Sequence, residues 1–337
     1  MSSRAAGSRQ RAEFGAFCRE LRVEDGRAFT LHPFQRQMLA DHFAGARETA
    51  LIIPKKNGKS TLMAALALYH LVVTENAECI MVAASREQAE IILRQARMFI
   101  RSSAPLQRLL TIQQRSILSK ADEGRIRVLA ADADTADGVI PTLAIVDELH
   151  RHKTAELYGV LRDGLGPRGG KLITISTAGS STDSPLGKLR EKAHAMPGFT
   201  RRGKHNHVRS PDGTFAFHEW CLGPEDDPAD MAVVKRANPA PWHTVQELRE
   251  LHASPTTTAS QWLRFACGVW TEADEPWLEG PTWDVLATPD AEIARGSAVW
   301  LGVKVRLDES AVVAMDAERT AQAWILPAGS GGNEQRR

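Results

Sequence analysis

Residues Ile53-Pro54-Lys55-Lys56-Asn57-Gly58-Lys59-Ser60-Thr61 decide how this chain is read. A short apolar run, Ala50–Ile53, leads into them, and a helix-like segment, Ser60–Val73, leads out. A strand end, a tight loop and a helix start gather backbone N–H groups and the positive end of a helix at one point, which makes a cradle for phosphate. In such a cradle Lys59 reaches the outer phosphates and the Ser60 hydroxyl ligates Mg²⁺. The pattern departs from the usual one at Ile53, which stands where the first glycine would be. Taken alone, the loop also reads as a lysine-rich surface turn.

A second element stands downstream. Leu143-Ala144-Ile145-Val146-Asp147-Glu148 is an apolar strand ending in two acids. Acids at the carboxyl end of a buried parallel strand face the ligand crevice. There Asp147 would hold Mg²⁺ through water, and Glu148 would polarise an attacking water. The competing reading, a helix N-terminus carrying favourable negative charge, loses weight beside the phosphate loop. Apolar runs at 79–83 and 126–130 fall between the two motifs in sequence. They leave room for a strand inserted between the phosphate-loop strand and the acidic strand, as in ATPases that use a catalytic glutamate.

Ile173-Thr174-Ile175-Ser176-Thr177-Ala178-Gly179 is a further strand ending in small hydroxyl residues. Beside the acidic strand, Ser176 or Thr177 could sense the terminal phosphate and pass its loss to a moving element; a strand running into a turn is the plainer alternative. Upstream, His32-Pro33-Phe34-Gln35-Arg36-Gln37 could set Gln35 against an adenine edge, or simply start a helix at its proline.

Strands alternating with helical stretches from about residue 30 to 180 predict a mostly parallel α/β sheet flanked by helices. One such helix, Glu87–Arg101, has Ser85 as N-cap with Gln88 three residues on. Residues 1–28 read as an N-terminal arm with a short helix, and 29–200 as the nucleotide domain. Residues 201–290 read as a basic loop and a helical linker subdomain, with Trp262, Trp270, Trp277 and Trp283 as packing anchors. Runs at 298–303, 310–314 and 323–326 resemble strands of a new unit, 291–337, which ends in a Gly/Ser-rich tail. Arg201, Arg202, Lys204 and Arg209 form the best candidate DNA contact, since each phosphate neutralised releases counterions whatever the base sequence. A solvated loop is the bland reading of that cluster.

Composition narrows the class without choosing a partner. The chain has 337 residues, 43% hydrophobic and 25% charged, which is ordinary for a globular protein and excludes wholesale disorder. Lys+Arg number 42 against 41 Asp+Glu, so any nucleic-acid surface must be a local patch. Cys18, Cys79, Cys221 and Cys267 lie far apart with no CxxC pair, which fits reduced thiols better than a disulfide framework or zinc knuckle. No apolar h-region opens the chain and no run approaches membrane-spanning length, so a cytoplasmic location is expected.

Taken in order, HPFQRQML, IPKKNGKST, DADTADG, IVDELHRHKTAELY, LRDGLGPR and ITISTAG resemble the ATPase motor of tailed-phage terminase large subunits over residues 30–285. The resemblance implies a P-loop NTPase fold of the type with an added strand and a catalytic glutamate. It implies ATP and Mg²⁺ as cofactors, and duplex DNA as the substrate pumped into a procapsid in the cytoplasm of a bacterial host. A homo-oligomeric ring, a small terminase subunit and a portal are implied as partners. Lys55, Lys56, Asn57, Gly58, Lys59, Ser60 and Thr61 would then form the phosphate loop, with Lys55 contacting phosphate. Asp147 and Ser60 would serve the metal, Glu148 the water, Thr177 the coupling, and Asp132–Gly138 a loop near nucleotide or DNA.

The departure lies at the end of the chain. Family members continue into an RNase H-like nuclease whose first strand carries a metal-binding Asp. Here Leu301-Gly302-Val303-Lys304 puts a lysine in that place, and an ammonium repels metals, so nuclease activity is not expected despite Asp308 and Asp316. The literal His205-Asn206-His207 string is not read as an HNH nuclease, because that site spreads its residues over a ββα unit. His150 and His152 lack an evident third metal ligand and read better as supports for the acidic pair or as DNA-facing groups. Two other readings stay open: a helicase-like DNA-stimulated ATPase, and a non-catalytic prophage remnant.

Overall fold

The computed structural model describes residues 3–129, 138–152, 154–271, 291–305 and 309–327. It divides into two compact units, Met1–Glu275 and Pro276–Arg337. Asp132–Asp137, Trp277, Trp283 and Asp308, singled out above, lie outside the described residues.

Ten strands of the first unit form one sheet. In chain order they are β1 (Glu48–Ile52), β2 (Glu78–Ala83), β3 (Leu110–Ile112), β4 (Ser116–Ser119), β5 (Arg125–Leu129), β6 (Leu143–Asp147), β7 (Lys171–Ser176), β8 (Thr200–Arg202), β9 (His205–Arg209) and β10 (Phe215–Trp220). Across the sheet the order is β3-β4-β5-β2-β6-β7-β1-β10-β9-β8. The central six, β5 to β10, are parallel, and antiparallel hairpins close both edges.

β2, β6 and β7 read as near-continuous apolar runs because helices cover both faces. One face carries α1 (Ser3–Glu20), α2 (Pro33–Met38), α3 (Ala40–Phe43), α4 (Lys59–Val73), α5 (Arg86–Arg101) and α6 (Ala104–Leu109), whose buried side chains meet Leu51, Met81, Ile145 and Ile173. The other face buries Ile52, Ile80, Val146 and Phe217 under α7 (Glu156–Gly164) and α8 (Pro185–His194). α4 is apolar nearly all round because it is enclosed nearly all round, from Leu62 to Leu71. Ser85 caps α5 by accepting from the Gln88 amide, as its spacing predicts.

Three expectations change. The strand between the phosphate-loop strand β1 and the acidic strand β6 is β7, not the runs at 79–83 or 126–130, which lie beyond β6 as β2 and β5. Packing, not chain order, sets that place. The sheet also does not stop at residue 200: the basic stretch folds as the β8–β9 hairpin, and β10 docks in parallel on β1. The N-terminal segment is an 18-residue helix, anchored by fully buried Phe14 and Cys18.

A satellite core follows, built from α9 (Met231–Ala237), α10 (Val245–Ala253) and α11 (Ala259–Phe265), with Val234, Leu248 and Trp262 at its centre. The second unit is an antiparallel sheet of β11 (Val299–Val305), β12 (Glu309–Asp316) and β13 (Ala321–Pro327), in that order. Among the described residues, no helix is long and apolar enough to cross a membrane.

Candidate nucleotide site

β1, β6 and β7 end side by side, and their carboxyl ends deliver the three motifs to one crevice. The loop after β1 turns through Lys56 and Gly58, both at positive φ. Gly58 is required twice over: φ is 76°, and a Cβ would stand 2.9 Å from the Trp242 ring. α4 then starts at Lys59, so its first-turn N–H groups point into the crevice with the positive end of the helix dipole.

A cavity of about 1030 Å³ opens there, bordered by Lys55, Lys56, Gly58, Lys59, Ser60, Thr61, Glu148 and, beside Gly58, Gln35 and Trp242. Its volume suits a nucleoside triphosphate. Lys59 is buried, and its ammonium donates to the carbonyls of Ile53 (2.9 Å) and Pro54 (3.3 Å). Burial pushes its pKa down, while Glu148 and Asp147 push it back up. Lys55 lies over the Phe265 ring, 3.3 Å from the centroid, and burial lowers its pKa too.

Glu148 follows β6 in the left-handed region, at φ 50° and ψ 49°. For a non-glycine residue that conformation costs about 1–2 kcal/mol; the Glu148 amide still donates to Ile175 at 2.8 Å, so the ladder holds the turn. The turn aims its carboxylate at two donors: His150 Nδ1 at 3.0 Å and the Thr177 hydroxyl at 3.3 Å. His150 Nδ1 also lies 3.0 Å from Ser176 Oγ. Burial alone would raise the Glu148 pKa, but the His150 hydrogen bond and the Lys59 charge outweigh it and hold the group at about 2. Asp147, buried at the end of β6, moves the other way. Burial first, and the neighbouring Glu148 charge second, push it up to about 7. His152 supports the turn through Asp147 O at 3.3 Å.

These residues fit a nucleotide and a divalent cation. Gln35 accepts from the His32 amide through Oε1 at 2.9 Å, but its buried Nε2 has no protein partner at the cavity wall. A base edge would supply one. Burial, and then the Glu148 charge, oppose the ionised form of Asp147, and a divalent cation held by Asp147 and the Ser60 hydroxyl would favour it.

Asn57 has a different use from the rest of the loop. Its amide nitrogen donates to Pro54 O, Lys55 O and Asn238 Oδ1, and its oxygen accepts from the Ala240 amide. With both ends engaged, its side chain braces the loop. The basic cluster is likewise not one free face. Lys204 pairs with Asp226, and Arg209 reaches Ala44 O, Gly213 O and Asp41. Arg201 leans on Cys221 O and Asp226, while Arg202 is exposed.

Residues the motifs do not announce complete the crevice. Trp242 donates its indole N–H to Lys56 O at 2.7 Å and stands edge-on to His32. Phe265 O accepts from the Lys55 amide at 2.9 Å. The only local signal was the run Asn238-Pro239-Ala240-Pro241-Trp242, which reads as linker.

Known proteins resemble this chain in sequence and in fold. Residues 41–195 match the family model "Terminase large subunit, ATPase domain". The large terminase subunit of Enterobacteria phage HK97 is 30% identical over 169 residues, which is 48% of this chain and 31% of that protein. The aligned stretch thus spans about a third of that relative. The crystal structure of the HK97 large terminase superposes with TM-score 0.65 at 20% identity, covering 94% of this chain and 67% of that one. A variant ATPase domain of the Thermus phage P74-26 large terminase gives 0.50 at 16% identity, over 72% of this chain and 95% of that one.

Proposed function

Because residues 41–195 match the family model of the terminase large-subunit ATPase domain, we propose that this chain hydrolyses ATP to drive duplex DNA into a phage procapsid. The observation that carries the reading is buried Lys59 and ionised Glu148 facing one cavity, with the unpartnered amide nitrogen of Gln35 in its wall. Lys59 and the first-turn amides of α4 take the phosphate charge, and Gln35 takes the base. Glu148, kept as a carboxylate, orients the attacking water and draws on its proton. Lys55 stands by for charge that develops on the phosphates. Ser60 and Asp147 would hold Mg²⁺, which neutralises phosphate charge when bound.

Thr177 touches Glu148 and follows β7, so a change at the carboxylate reaches the next segment directly. That contact supports a coupling role. DNA would meet Arg201 and Arg202 before the tethered Lys204 and Arg209. A ring of copies on a portal, a small terminase subunit and the host cytoplasm belong to the same reading. It assigns no strand cutting to β11, where Lys304 replaces the acid expected by resemblance.

The test is Mg²⁺-dependent ATP turnover, with and without duplex DNA, for the parent and Glu148→Gln. Turnover that falls by at least about 100-fold while ATP binding persists is the expected result. Equal turnover in both proteins would overturn the assignment.

A further inference from the structure

Away from the nucleotide crevice, the β9–β10 hairpin gathers three histidines beside Asp41. Strand alternation places His205 and His207 on one face of β9, and the antiparallel register sets His218 of β10 directly opposite His207. Asp41, on α3, reaches the same point: its Oδ2 accepts from His207 Nε2 at 2.8 Å and from His218 Nε2 at 3.1 Å. One ligand atom from each of the three lies within 4.8 Å of the others.

We propose that Asp41, His207 and His218 bind one divalent cation of the zinc class, clamping α2–α3 to the β9–β10 hairpin. Two imidazoles and a carboxylate are a donor set that zinc favours. Donor atoms about 2.0–2.2 Å from a tetrahedral ion stand roughly 3.3 Å apart. The two hydrogen-bonded contacts therefore need to open by only a few tenths of an ångström. His207 is about one-third exposed (34%) at its side chain, which leaves an entry path and room for a water as fourth ligand. Arg209 approaches the other oxygen, Oδ1, at 3.5 Å and leaves Oδ2 to the ion.

The surroundings can switch between a metal-free and a metal-bound hydrogen-bond pattern. His218 Nδ1 lies 3.1 Å from His205 Nε2, and His205 Nδ1 lies 3.0 Å from Gln37 Nε2. With the Gln37 amide nitrogen donating, His205 carries its hydrogen on Nε2 and His218 also carries its own on Nε2, aimed at Asp41. Turning the exposed Gln37 amide over reverses the chain. His205 Nδ1–H then donates to Gln37 Oε1, His218 Nδ1–H donates to His205, and the His218 Nε2 lone pair is free for a cation. Each ring moves a hydrogen between its nitrogens and no net proton is lost. A relay behind a ligand histidine is what orients such ligands in metal sites. The clamp bears on α2, the helix that carries Gln35 to the nucleotide cavity and Gln37 to His205.

The test uses the full chain, stripped with a chelator. Zn²⁺ is titrated in competition with a chromophoric chelator, and Co²⁺ is followed by its visible ligand-field absorption. One equivalent bound, an intense tetrahedral Co²⁺ band and a metal-dependent rise in melting temperature are expected. His207→Gln keeps a donor for Asp41 while removing the imidazole; it should keep the parent's circular dichroism and bind at least about 100-fold more weakly, whereas Gln37→Leu should lose about 10-fold. No stoichiometric binding by the parent, or equal binding by folded His207→Gln, would overturn the site and leave a purely hydrogen-bonded cluster. Should His207→Gln unfold, the Co²⁺ spectrum of the parent decides: an octahedral, weakly absorbing ion would sink the proposal.

Discussion

The Thr177 hydroxyl donates to Glu148 Oε2 at 3.3 Å, joining the residue after β7 to the residue after β6 across adjacent strands. Because β7 lies between β6 and β1, the same strand end also neighbours the phosphate loop: the Ile53 amide donates to Ser176 O at 3.1 Å. A carboxylate that titrates, moves or changes partner at this point is felt on both sides.

Thr177→Val removes that donor with little change in volume. A hydrogen bond to a charged group contributes about 1.5–3 kcal/mol, so kcat should fall roughly 10- to 100-fold while ATP binding holds. Thr177→Ser should restore most of the rate. Steady-state turnover of the two variants checks this; equal losses would mean that the hydroxyl is not what matters.

Gln35 should report on the base and not on the phosphates. Gln35→Met removes the buried, unpartnered Nε2 and, with Oε1, one bond at the start of α2. Affinity for ATP should drop about 10-fold, the equivalent of one hydrogen bond, while affinity for tripolyphosphate stays the same. Calorimetry with both ligands distinguishes base contact from general damage, which would lower both.

Glu219 predicts an acid limit to stability. It is fully buried on β10 and is met by Arg190 at 2.5 Å, His194 at 2.8 Å and Asn206 at 2.8 Å. Burial opposes ionisation, but the His194 hydrogen bond and the Arg190 charge hold the pKa at about 2. The folded value lies below the unfolded one, near 4.3. The stabilisation is therefore complete above that unfolded value and is lost as pH falls toward about 2. Urea melts from pH 6 to 3 should show the decline. Glu219→Gln should cost about 3–5 kcal/mol at neutral pH by leaving Arg190 uncompensated, with a shallower acid slope.

DNA affinity should distinguish members of the basic cluster. Arg202 is exposed, whereas Lys204 is held by Asp226. Arg202→Ala should weaken duplex binding for every sequence and reduce the salt slope by about one. Lys204→Ala should have a smaller effect on that slope, because its charge is already paired. Anisotropy titrations at several salt concentrations would show it, and an unchanged slope for Arg202→Ala would remove this surface from the DNA path.

What the sequence by itself determined is what neighbouring residues can encode. The phosphate loop needs a glycine at positive φ and a helix start, and Gly58-Lys59-Ser60 spells both within three positions. The acidic pair is legible because an apolar strand that ends in Asp147-Glu148 has few other uses, and the Ser85 cap is legible because its partner is only three residues away. Tertiary structure decided the rest. The position of β7 between β1 and β6 depends on which strands pack best side by side, and no local pattern records that choice. Trp242 and Phe265 reach the loop from far along the chain, through contacts to backbone atoms that any residue would offer, and Asn238 reaches it through a side-chain bond from Asn57. Arg201 to Arg209 looked like one free patch because the carboxylates that bind Lys204 and Arg209 lie elsewhere in sequence, Asp226 after the hairpin and Asp41 far before it. Spacing along the chain encodes backbone geometry, whereas charge pairing and burial depend on neighbours that only folding supplies.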